Sequence, residues 1–193
     1  MRPAAGLTLA LLALAPVDAE AAGGARSFSE GLLHPLLVPA HALAVLGLGL
    51  LIGQQAFSMR RLAIASYVAG LGTGFAALIA AVAPILAGEV LLASAAMSGA
   101  LVALARPLPL PAGCVLATIA GAALAFDSSP GGISIPQANV ALTGTFFGAV
   151  FLLLAVVISS GPLRGERWRI GARIAGSWVS ASAMMVLALT LAH

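Results

Sequence analysis

Charge is scarce in this chain. Only 8% of its 193 residues are charged, whereas 61% are hydrophobic. A soluble domain usually has about a quarter of its residues charged, so this chain lacks the side chains needed to cover a surface in water. It has a single cysteine, Cys114, which excludes a disulfide framework. The composition indicates a protein embedded in the lipid bilayer, with no room for a separate soluble domain.

Lysine is absent, and all nine basic residues are arginines spread in small groups. This pattern offers no basic and aromatic face for nucleic acid, and no nucleotide-binding loop or haem attachment motif occurs. ATP-driven transport by this chain alone is therefore excluded. The one pairing of nucleophile and base, Ser98 with His41, lacks the glycine context of intramembrane serine proteases, because Ala96 stands in its place. We predict no enzyme and no bound cofactor.

Long apolar runs dominate instead. None alternates like a strand, and all exceed the length of a membrane β-strand. We therefore predict an all-α, polytopic membrane protein with six transmembrane helices. The six segments are residues 33–53, 62–83, 89–105, 112–126, 138–159 and 170–191.

The first residues resemble a secretory signal. Arg2 gives a positive start, residues 7–15 form a short apolar run, and Ala19-Glu20-Ala21 is a small-x-small cleavage pattern. We predict a signal peptide over residues 1–21, with cleavage after Ala19 and an uncleaved anchor as alternatives. Residues 22–193 then form one six-helix domain in the bacterial inner membrane.

The arginines predict the orientation of the helices. Three connections, namely 1–2, 3–4 and 5–6, hold seven arginines, whereas connections 2–3 and 4–5 hold none and carry Glu89 and Asp127. Because arginine is enriched on the cytoplasmic side, both termini of the mature chain are predicted to be periplasmic. Asp127 is interpreted as a solvated loop acid that initiates a turn.

Two of the three histidines lie in the first apolar segment. His34 and His41 share one face of a straight helix to within about 20° but are separated by ~10 Å along its axis. A straight helix would make them successive stations on a path, whereas a bend at Pro39 would bring them to one site. Alternatively, His34 lies in the interfacial layer and His41 bonds a neighbouring helix.

Residues 34–44, HPLLVPAHALA, resemble the first-helix signature of the HupE/UreJ family, which is close to H-P-x-x-G-x-D-H-x-L-A. The layout of the mature chain is similar as well, including the glutamate that opens the third helix. The resemblance implies a permease for a divalent transition metal, nickel or cobalt. The metal would be the transported ion and not a cofactor. His34 and His41 would bind the metal, with Glu89 as an auxiliary ligand at the periplasmic mouth.

The chain also departs from the family pattern. Val38 replaces the family glycine, Ala40 replaces the family aspartate, and residues 126–131 lack the histidines that the family has there. These departures leave a second hypothesis open, a non-transporting accessory or assembly factor that kept the fold and lost the site. A permease for another small solute is a third, and a homo-oligomer stays open.

Overall fold

The computed structural model describes residues 27–80, 82, 85–105, 108–129, 134–160 and 166–192. The predicted signal peptide lies outside these residues. Every regular element in the described part of the chain is a helix, which confirms the all-α prediction. The seven helices are α1 (Phe28–Leu37), α2 (Pro39–Gly53), α3 (Phe57–Ile79), α4 (Ala87–Ala103), α5 (Leu110–Asp127), α6 (Ile135–Ser160) and α7 (Glu166–Leu191).

Several helix starts follow from local chemistry. The Ser27 side chain accepts a hydrogen bond from the Glu30 amide at the start of α1, a typical N-cap, and Glu30 also places an acid in the first turn. Pro39 opens α2, where a proline loses no hydrogen bond because the first amides of a helix have no partner within it.

Four helices, α3, α5, α6 and α7, are long and apolar enough to cross a membrane. The pair α1 and α2, with a bend of 70° between them, passes the same test only when taken together, and it counts as a fifth crossing if the two helices form one broken span. The helix α4 is apolar but has only 17 residues. The structure thus contains four or five clear crossings, and the sixth stays a prediction.

The helix α2 lies at the centre of the bundle and contacts each of the other six helices. Around it, α1 packs on α6, α3 on α5, and α4 on α7. Glycines make the close approaches: a Cβ at Gly144 or Gly148 of α6 would meet the backbone of α1. Because the hydrophobic effect does not hold helices together in lipid, such close contacts have to do so.

Candidate metal site at the broken first span

The first predicted span is not one continuous helix. Val38 has an extended backbone, with φ −85° and ψ 114°, between α1 and α2. A residue that precedes proline is disfavoured in the helical conformation, so Pro39 explains why the break falls here. The Val38 amide still donates to the His34 carbonyl at 3.0 Å, which closes the end of α1.

The bend brings the two histidines together. His34 lies in the last turn of α1 and His41 in the first turn of α2. Their ring centroids are 5.0 Å apart in an edge-to-face arrangement, compared with the ~10 Å expected along a straight helix. Of the two geometries that the sequence left open, the structure has the bent one, with both imidazoles in one place.

Asp127 completes this cluster from another helix. His41 Nε2 and Asp127 Oδ2 are 2.9 Å apart. An ionised carboxylate only accepts hydrogen bonds, so a neutral imidazole in this position donates through Nε2 and keeps its lone pair on Nδ1. His41 is fully buried, and Nδ1 has no hydrogen-bond partner in the described part of the chain. A buried lone pair of this kind is a free ligand position.

The interpretation of Asp127 as a loop acid is wrong, although the residue does stay accessible to solvent. Asp127 is the last residue of α5, and about 30% of its side chain is exposed while its carboxylate holds His41. Sequence reasoning missed it because no spacing relates residues 86 positions apart. The usable signal was topological: an acid at the end of the fourth predicted span lies on the same side of the membrane as the start of the first.

Glu89 does not join the cluster directly. It lies in the first turn of α4 and makes no side-chain hydrogen bond or ion pair with any residue that the structure describes. Its neighbour Gly88 lies against Asp127, because a Cβ placed on Gly88 would be 3.0 Å from Asp127 Oδ1. The structure therefore brings His34 and His41 together, adds Asp127, and leaves Glu89 on the adjoining turn.

The separation of the two imidazole rings suits one small cation, but the described side chains do not supply a complete set of ligands. With metal–nitrogen bonds of ~2 Å, two imidazoles on one ion at right angles have ring centres roughly 4 to 5 Å apart. The observed 5.0 Å is close to this range. Within the described ranges no three His, Cys, Asp or Glu side chains are grouped so as to hold a metal ion. The site thus offers two imidazoles, one of them oriented by a carboxylate.

Fold and site together define a polytopic helical membrane protein with an imidazole pair at a break in its first span. The family model described as HupE / UreJ protein matches residues 5–187, nearly the whole chain. The chain therefore belongs to the HupE/UreJ family, membrane proteins associated with nickel and cobalt transport. No curated protein and no solved structure matches it.

Proposed function

We propose that this protein is an inner-membrane permease for a divalent transition metal, nickel or cobalt, with its binding site at the break between α1 and α2. The observation that supports this most is the buried, unpartnered Nδ1 of His41, whose ring is held through Nε2 by Asp127. A histidine that binds a metal almost always donates its other ring N–H to a carboxylate, a backbone carbonyl or water, and the contact between His41 and Asp127 is of the first kind.

In this proposal, His34 and His41 Nδ1 are the two protein ligands, and water fills the remaining positions. Imidazole suits nickel and its neighbours in the first transition row. A site with two ligands binds more weakly than a closed cage, and a conducting site has to release its ion as well as take it up. Asp127 orients His41, and Glu89 is an auxiliary acid at the mouth.

We further propose six crossings with both mature termini in the periplasm, α4 being the short crossing. The histidine cluster then faces the periplasm, and ions enter from that side. A divalent cation that moves inward gains ~4.6 kcal/mol per 100 mV of membrane potential, twice the value for one charge. No further energy source is required for accumulation.

Accumulation of radioactive nickel in cells that express the wild type or His34→Ala/His41→Ala tests the proposal. We expect the double variant to lose uptake, because it loses both ligands. The variant His34→Gln/His41→Gln, which keeps side-chain volume and hydrogen bonding, should lose uptake as well. Expression in the membrane is measured for each variant by immunoblotting.

Equal uptake by wild type and double variant would contradict the permease proposal. That result would favour the accessory or assembly factor, which Ala40 and the missing histidines after α5 also favour. Uptake that depends on the histidines but is not reduced by excess nickel or cobalt would instead indicate another substrate. Competition with each metal ion in turn separates these outcomes.

A further inference from the structure

A cavity of about 390 Å³ lies at the other end of α2 from the histidine cluster. It is bounded by the ends of α2, α4 and α6, by the first turn of α3 and by the first two turns of α7. Its charged, amide and indole side chains are Gln54, Gln55, Arg60, Trp168, Arg169 and Arg173. Three arginines from two helices therefore line one space.

Two of these guanidinium groups are fixed by the ends of other elements. Arg60 Nε donates to the Gln55 carbonyl at 2.7 Å, and Arg173 Nε donates to the Ala103 carbonyl at 2.9 Å. Each guanidinium has five N–H donors, so each of the two keeps four for other partners. The backbone thus positions two arginines and leaves most of their donors unused.

Among the cavity's described lining residues, the charges are all positive. Arg169 and Arg173 are four residues apart on α7, and like charges at this spacing destabilise a helix. Arg169 makes no side-chain hydrogen bond or ion pair within the described part of the chain, and no described lining residue is an acid. Such a site repels a metal cation and attracts an anion.

We propose that this cavity binds a phosphate-bearing anion, either a free phosphate compound or the headgroup of an anionic phospholipid. Arginine matches phosphate oxygens with pairs of parallel N–H donors. The volume is in the range of small-ligand sites, so it accepts a phosphate together with part of its substituent. The cavity also lies at the arginine-rich end of the bundle, where anionic headgroups collect on basic segments.

Trp168 supplies a local reporter for this site. The chain has two tryptophans, and the other, Trp178, is 72% exposed on α7 and does not line the cavity. In a Trp178→Phe background, fluorescence reports on Trp168 alone. In the first form of the experiment, the protein in phosphatidylcholine nanodiscs is titrated with inorganic phosphate or glycerol phosphate at constant ionic strength. In the second form, its Trp168 emission in phosphatidylcholine nanodiscs is compared with that in nanodiscs that contain phosphatidylglycerol.

We expect saturable changes in emission that Arg169→Gln shifts to at least about tenfold higher ligand concentration, because a charged hydrogen-bond donor is lost. The matched control is Arg61→Gln, which removes an equal charge from an exposed arginine of α3 that does not line the cavity. It should change the titration little. Arg60→Gln is a second cavity variant in case Arg169→Gln does not fold.

The two forms of the experiment identify the source of the phosphate. A response to soluble phosphate compounds in neutral nanodiscs supports a free ligand, and a response to phosphatidylglycerol alone supports a lipid headgroup. The proposal is overturned if neither ligand changes the emission, or if Arg61→Gln weakens binding as much as the cavity variants do. Neither result bears on nickel uptake, so this inference is tested independently of the proposed permease function.

Discussion

At the scale of single residues, the site depends on a bond between side chains that are distant in the sequence. His41 Nε2 and Asp127 Oδ2 are 2.9 Å apart across 86 positions. The family pattern places an aspartate at position 40, directly before the second histidine, where this chain has Ala40. Asp127 supplies a carboxylate to the same imidazole from the end of α5 instead.

Asp127→Asn should lower nickel uptake by about 10- to 100-fold, the usual cost of losing the carboxylate behind a metal-binding histidine. The amide no longer enforces donation from Nε2, so Nδ1 is no longer held as the free ligand position. Uptake is measured as initial rate against nickel concentration. Glu89→Gln, on the adjoining turn, serves as the comparison and should have a smaller effect. If Glu89→Gln lowered uptake more than Asp127→Asn, the acid that supports uptake would be Glu89 of α4 and not Asp127.

The sequence marked the two histidines as candidate metal ligands, but it did not identify the carboxylate that contacts His41. A histidine within a long apolar run is unusual enough to mark a site by itself, since burial of a polar ring requires a partner. The identity of that partner depends on how α2 and α5 are placed side by side. No local pattern in either helix carries that information.

At the scale of elements, the break between α1 and α2 brings the two histidines together. Proline at position 39 and the extended Val38 before it turn the chain by 70°. Sequence reasoning could state the two outcomes, a straight or a bent helix, with their different distances between histidines. It could not decide between them, because prolines also occur in spans that are only slightly kinked.

Pro39→Ala should lower nickel uptake by more than about tenfold, because the loss of an oriented ligand has at least this cost. Without proline, residue 38 regains the helical conformation, and a straightened span would separate the rings towards ~10 Å. The matched control is Pro136→Ala, an exposed proline in the first turn of α6. Unchanged uptake in Pro39→Ala would mean that other contacts hold the bend.

Packing of α1 on α6 fixes where His34 lies. Glycine pairs at four-residue spacing, such as Gly144 and Gly148, favour close helix contacts, and both of these glycines lie against the backbone of α1. The partner helices were not predictable. The spacing shows which face of a helix allows close approach, but it does not show which other helix packs there. A Cβ at Gly148 would meet the backbone carbonyl of Leu32, two residues before His34.

Gly148→Ala should lower the midpoint of thermal unfolding of the purified protein, at a cost of about 1 to 3 kcal/mol for overpacking. It should lower uptake as well, because α1 carries His34. Gly72→Ala is the control, since a Cβ there meets nothing within 4 Å. It should leave the midpoint unchanged or raise it, because alanine is the better helix former. Equal effects of the two changes would contradict the packing argument.

At the scale of the whole molecule, the two ends of α2 have opposite character. The α2 helix is about 22 Å long at 1.5 Å per residue, with the carboxylate and imidazoles at its start and the arginine-lined cavity at its end. The unequal distribution of charge between the two ends of the bundle was predictable, because arginines cluster in alternate connections. The cavity was not, since its walls come from five separate helix ends.

Reporter fusions test the proposed orientation. Alkaline phosphatase is active only outside the cytoplasm, so we expect high activity for fusions after Ser129 and after residue 192. A fusion after Gln55, in the connection between α2 and α3, should be inactive. Green fluorescent protein at the same positions should give the reverse pattern, since it becomes fluorescent in the cytoplasm. Fluorescence after residue 192 would place the end of α7 inside and remove one crossing.

Under the proposed function, the unequal burial of the two imidazoles gives one of them control of ion capture and the other control of ion retention. His34 keeps 9% of its surface accessible, whereas His41 keeps none. An arriving ion therefore meets His34 first, and this residue governs the rate of capture. His41, locked by Asp127, governs how long the ion is retained. Substitutions around one ring would then tune throughput, while those around the other would tune discrimination between metals.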